Sequence, residues 1–110
     1  MKINEYQQLA LRTASDESKE RLILNGALGL TGESGEVADI VKKHLFQGHD
    51  LDKDHIAKEL GDICWYIAIT AHGIGYDLET IMQMNIDKLK ARYPDGFDAY
   101  RSINRKKGDI

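Results

Sequence analysis

Residues 24–46 read LNGALGLTGESGEVADIVKKHLF. Within them Leu24, Leu28, Thr31, Gly35, Ala38, Val41 and Leu45 fall three or four apart, the spacing of one face of an α-helix. Ile23, Ala27, Leu30, Val37 and Ile40 form a second stripe beside the first. Two stripes predict a helix covered on more than one side, and this segment reads as the central helix of an all-α fold. It extends back to about Glu17, where Ser15, Asp16 and Ser18 offer side-chain caps, and forward to about Phe46.

Working outward, the same period recurs three more times, and none of the segments alternates as a half-buried strand does. Upstream, Ile3, Tyr6, Ala10 and Thr13 share one side of a helix over about Ile3 to Ala14. Downstream, Gln47 to Asp52 reads as a connecting loop, and Asp52 or Asp54 can cap a third helix that runs to about His72. Its seam is Ile56, Leu60, Ile63, Ile67 and Thr70, and the charge-free run from Ile63 to Ala71 predicts that it is largely buried. Gly73 and Gly75 end it. Asp77 is placed to cap a fourth helix with Leu78, Met82, Ile86, Leu89 and Tyr93 inward, closed by Pro94-Asp95-Gly96. The chain therefore divides into a helical domain over residues 1–97 and a short helix or basic tail over 98–110.

Composition bounds what such a domain can do. Of 110 residues, 42% are hydrophobic and 30% charged, which suits a globular fold and not a disordered one. The formal net charge of -3 supplies no general attraction for nucleic acid or an anionic membrane, so any anionic ligand must be met locally. Ile63–Tyr76 is too short and too interrupted to span a bilayer. A lone cysteine, Cys64, and an opening Met-Lys-Ile-Asn-Glu-Tyr without an apolar run are what a reducing cytoplasm leads one to expect. So small a chain with two nearly all-apolar helices needs a partner, and a homodimer or homotetramer is expected.

The chemistry sits in two acidic pairs. Glu33 and Glu36 lie three apart on the second helix, and Glu59 and Asp62 three apart on the third, so each pair projects from one helical face beside an apolar seam. Crowded carboxylates must take up protons or find a counter-charge, and Ser34, Gly35, Gly61 and Ile63 supply no Lys or Arg. A hard divalent cation answers this: all-oxygen ligands suit Mg²⁺, with Mn²⁺ as a substitute. The plainer alternative is solvated charge absorbed by pairs such as Asp39 with Lys43 and Lys58 with Asp62. On the fourth helix Asn85, Lys88 and Arg92 form a polar stripe fit to grip phosphates, though Lys and Arg at a helix C-terminus also simply complement its dipole.

Glu33-Ser-Gly-Glu36, Glu59-Leu-Gly-Asp62 and Asn85-x-x-Lys88-Leu-x-x-Arg92-Tyr-Pro, in that order over roughly residues 20–97, resemble the MazG-like all-α nucleoside triphosphate pyrophosphohydrolases. The resemblance implies a Mg²⁺-dependent enzyme that cleaves between the α and β phosphates to release nucleoside monophosphate and pyrophosphate. It implies that Glu33, Glu36, Glu59 and Asp62 are the metal-binding and catalytic carboxylates, with Asn85, Lys88 and Arg92 on substrate phosphates. Phosphoribosyl-ATP pyrophosphohydrolases and dimeric dUTPases share this kind of scaffold. From another class, a non-catalytic nucleotide-binding regulatory module is the alternative.

Other residues carry less. Gly26, Gly29, Gly32 and Gly35 are not a phosphate loop, having neither a preceding strand nor a following Gly-Lys-Ser/Thr; they predict close helix approach or room for a ligand. His44, His49 and His55 match no zinc spacing and read as solvated. Trp65 and Tyr66 read as core or subunit-interface side chains, with base stacking as the alternative, and Cys64 as a small buried apolar group.

Overall fold

The computed structural model describes residues 1–15 and 18–110; the expected caps and helix start at Asp16 and Glu17 lie outside the described residues. These contain five helices and no named strand: α1 (Ile3–Leu11), α2 (Lys19–Phe46), α3 (Lys53–Gly73), α4 (Leu78–Arg92) and α5 (Ala99–Ile103). The all-α expectation holds, and so do the boundaries of the two long helices to within a residue or two.

Local chemistry sets those boundaries. Ser18 Oγ accepts the Arg21 amide at 3.3 Å, and Asp52 Oδ1 accepts that of His55 at 3.0 Å, each satisfying an amide that the first helical turn leaves without a partner. At the end of α3, Gly75 turns into the left-handed region at φ 86°, the Tyr76 amide bonds the Ala71 carbonyl at 2.9 Å and the Gly75 amide that of His72 at 3.0 Å. That paired arrangement is the Schellman stop, and its left-handed residue explains the glycine.

Contacts group the chain into two compact units, Met1–Leu78 and Glu79–Ile110. In the first, α2 runs antiparallel to α3, because positions rising along α2 meet positions falling along α3. Ile23 lies near Gly73, Gly26 near Thr70, and Gly29 near Tyr66. A methyl group at Gly26 would overlap the Thr70 hydroxyl, and one at Gly29 the Tyr66 ring, so these two glycines let the helices close. Beyond the adjoining residues and backbone of α2 itself, no atom of the described residues stands within 4 Å of where a methyl would sit at Gly32 or Gly35. The glycine run thus splits: its first half serves packing and its second half leaves space.

α1 packs on α3 as well, burying Ala10 against Ala68 and Leu78. Gln7, only 2% exposed, holds this junction with three hydrogen bonds. Its Nε2 donates to the carbonyls of Ala68 at 3.2 Å and Tyr76 at 3.1 Å, and its Oε1 accepts the Leu78 amide at 2.9 Å. A buried amide with all these partners is stable where an unpaired one would be costly.

Four expectations need correction. The helix against which both others pack is α3, not α2. Leu24 and Leu28 are 57% and 73% exposed, and Leu45 and Phe46 are also exposed, because α3 covers only the face of α2 that carries Leu22 and Gly26. Of the inward positions expected on α4, Leu78 is buried while Met82, Ile86 and Leu89 are exposed. Cys64 is exposed rather than buried, although it lies one turn before Ala68 on the same side of α3.

Candidate active site

Past the glycine contact the antiparallel pair brings the carboxylates together. Oxygen atoms of Glu33 from α2 and of Glu59 and Asp62 from α3 all lie within 4.8 Å of one another. Glu33 and Glu59 are half-buried and Asp62 is exposed, so the group sits at the surface with its inner members drawn out of water. Of the four expected carboxylates, Glu36 is not brought into this group. It lines a separate groove of about 490 Å³ with Asp39, Lys43, His49, Asp52 and His55.

The electrostatics follow from crowding. The Glu33 carboxyl is pushed up to about 7 from an ordinary 4.5, first by a hydrogen bond with the Glu59 side chain, then by burial, then by the charges of Glu59, Asp62 and Glu36. Crowding thus makes Glu33 hold its proton to higher pH than an ordinary glutamate. The expected surface pair of Lys58 with Asp62 does not form: Lys58 Nζ lies 3.1 Å from Asp54, leaving Asp62 to the cluster. Lys43, with Lys42, is held by Asp39 as expected, at 2.9 and 3.4 Å.

One neighbour of the cluster went unrecognised in the sequence. His55 Nε2 lies 3.2 Å from Glu59 Oε1. The spacing of four between them on α3 was the available signal. His44 Nδ1 lies 2.8 Å from the His49 carbonyl oxygen and so fastens the loop after α2.

Beside the carboxylates, Trp65 and Tyr66 wall a recess of about 200 Å³ that Glu33 and Asp62 also line. The two rings meet edge to face with centroids 5.1 Å apart. The Trp65 indole N–H donates to the Ala10 carbonyl at 3.0 Å and Thr13 Oγ1 at 2.8 Å, which ties α1 to the site helix. Trp65 is thus a packing residue whose edge reaches the recess.

The donor set suits a hard cation: three carboxylates on two helices, with no Lys or Arg ion-paired to them among the described residues. A family model described as the MazG nucleotide pyrophosphohydrolase domain matches residues 23–97, a stretch that contains this cluster and the whole α2–α3 pair from Ile23 on. The chain belongs to the MazG family. A relative of this MazG chain, the Gene 37 protein of Mycobacterium phage L5, is 38% identical over 73 residues, covering 63% of this chain and 64% of that protein. The match thus spans less than two thirds of the relative's length. No solved structure matches.

The remaining expected residues of this MazG chain lie in the second unit. Asn85 and Lys88 are exposed on α4. Arg92 is not open to solvent: its Nε and Nη2 donate to Asp109 Oδ2 and Oδ1 at 2.8 and 2.7 Å. No helix among the described residues is long and apolar enough to cross a membrane.

Proposed function

We propose that this chain is a Mg²⁺-dependent nucleoside triphosphate pyrophosphohydrolase that cleaves the α–β phosphate bond, releasing nucleoside monophosphate and pyrophosphate. The observation that carries the reading is the convergence of Glu33, Glu59 and Asp62 from two antiparallel helices. Membership in the MazG family gives nucleotides as the substrate class and pyrophosphohydrolysis as the kind of reaction.

Glu33, Glu59 and Asp62 hold the cation, Mg²⁺ or Mn²⁺ in its place. When bound it neutralises triphosphate oxygens and polarises the phosphorus under attack. His55, whose Nε2 lies 3.2 Å from Glu59 Oε1, orients that carboxylate. Glu36, one turn along from Glu33 and near enough for its charge to act on that carboxyl, is proposed as the carboxylate that takes the proton from the attacking water. Asn85, Lys88 and Arg92 are assigned to substrate phosphates, where fixed cations stabilise charge as it develops. The exposed Leu24–Leu28 stripe supports a homodimer or homotetramer, since a monomer would leave these leucines in water.

A pyrophosphate-release assay over a panel of canonical and modified nucleoside triphosphates tests the reading. The wild-type chain is expected to turn over in Mg²⁺ and not in EDTA. Glu36→Gln and Asp62→Asn are expected to keep the helical circular dichroism spectrum and lose activity by about a hundredfold or more. Undiminished turnover in both variants, or turnover without any divalent ion, would contradict it.

A further inference from the structure

The second unit contains a pocket of about 560 Å³, within the size range of small-molecule sites. Lys88, Arg92, Arg101, Arg105 and Lys106 line it together with the Tyr100 ring. Against these five cations stand two carboxylates, Asp98 and Asp109. Asp98 is engaged with the start of α5, accepting the Tyr100 amide at 2.8 Å, and lies 3.9 Å from Arg101. The Lys88, Arg105 and Lys106 side chains make no hydrogen bond or ion pair among the described residues, so the pocket keeps an excess of positive charge in a protein that is net acidic.

The pocket already receives an anion. Asp109 enters it in the two-pronged geometry by which a guanidinium takes a carboxylate or a phosphate, and the pair is shielded, with 9% of the Arg92 and 17% of the Asp109 side chain exposed. The Arg92 hydrogen bonds, with the nearby charges of Arg92, Arg105 and Lys88, hold the Asp109 carboxyl below the usual carboxylate range against the opposing effect of burial. These cations are arranged around a point where negative charge is favoured.

We propose that this pocket binds a polyphosphate group through Arg92, Lys88, Arg101, Arg105 and Lys106, and that Asp109 is the internal anion an incoming phosphate displaces from Arg92. Arg101, Arg105 and Lys106 lie beyond the family-matched residues 23–97, so family membership does not assign them. The inference deepens the assignment of Lys88 and Arg92 above and rests on it only for the class of ligand. The polyphosphate comes either from free pyrophosphate or from a nucleotide, and Tyr100 gives a nucleotide an aromatic surface that pyrophosphate cannot use.

Calorimetric titration of the full chain in EDTA, with inorganic pyrophosphate and separately with a non-hydrolysable nucleoside triphosphate, decides the matter. EDTA removes any cation from the carboxylates, so a failure here leaves the metal reading standing, and retained turnover in Asp62→Asn would leave this pocket standing. Binding of pyrophosphate is expected, weakened about tenfold or more in Arg105→Ala/Lys106→Ala and retained in the charge-preserving Arg105→Lys/Lys106→Arg. Asp109→Asn is expected to bind about threefold more tightly, because the resident competitor has lost its charge. Equal affinity for both ligands supports a phosphate-only site, and tighter nucleotide binding supports one completed by Tyr100. Absence of binding to either ligand, an unchanged affinity in the double alanine variant, or weaker binding by Asp109→Asn would overturn the proposal.

Discussion

Glu33 carries the charge balance of the acidic cluster, and its proton makes that balance measurable. In the metal-free fold the carboxyl holds its proton up to about 7, against 4.5 as an ordinary glutamate. A carboxyl raised by folding binds protons more tightly in the native than in the unfolded chain, so its stabilising contribution is full below 4.5 and disappears as pH rises through about 7. The melting temperature of the metal-free protein is therefore expected to fall from about pH 5 to about pH 8, and Glu33→Gln to flatten that slope. Affinity for Mg²⁺ is expected to run the other way, rising through about pH 7 as Glu33 loses its proton. Scanning calorimetry across pH, with and without Mg²⁺, follows both trends. A metal-free melting point that rises over this window would show that Glu33 is not protonated there.

At the scale of the elements, the α2–α3 pair places the site, and its glycines divide the work. Gly26→Ala and Gly29→Ala push a methyl into Thr70 and Tyr66 and are expected to cost about 1–3 kcal/mol in chemical denaturation. Gly32→Ala and Gly35→Ala meet open space and are expected to gain about 0.5–1 kcal/mol, the helix-propensity difference between glycine and alanine. Equal effects at all four positions would remove the distinction between a packing half and an open half. The period of three in these glycines was visible in the sequence, but which of them meet a partner depends on where α3 crosses, which spacing on one helix does not encode. The same limit applies to the carboxylates. Glu33, Glu59 and Asp62 were legible because two i, i+3 pairs on helices joined by a short loop must face each other in antiparallel packing. Glu36, which has the same spacing from Glu33 as Asp62 has from Glu59, lines another groove, so spacing alone does not decide which members of two such pairs meet. Gln7 gave no signal at all, since its partners Ala68, Tyr76 and Leu78 lie more than sixty residues away.

For the molecule as a whole, the all-α class and the meeting of three acidic side chains were readable from period and charge, whereas the covering of the apolar stripes was not. The helical period marks Leu24 and Leu28 as apolar face residues without saying whether the same chain or a second copy covers them, and within one chain they remain exposed. Light scattering on the eluting protein is expected to give a multiple of the 12.4 kDa chain mass, and Leu24→Glu/Leu28→Glu to shift it toward the monomer. A monomeric wild-type chain would contradict the assembly. The most direct measurement of the central claim is a crystallographic anomalous-difference map from protein soaked in Mn²⁺. Its strongest peak is expected among the carboxylates of Glu33, Glu59 and Asp62, at about 2.0–2.3 Å from their oxygens. A map with no peak there, or with its strongest peak away from both helices, would contradict the claim that these residues hold a catalytic cation.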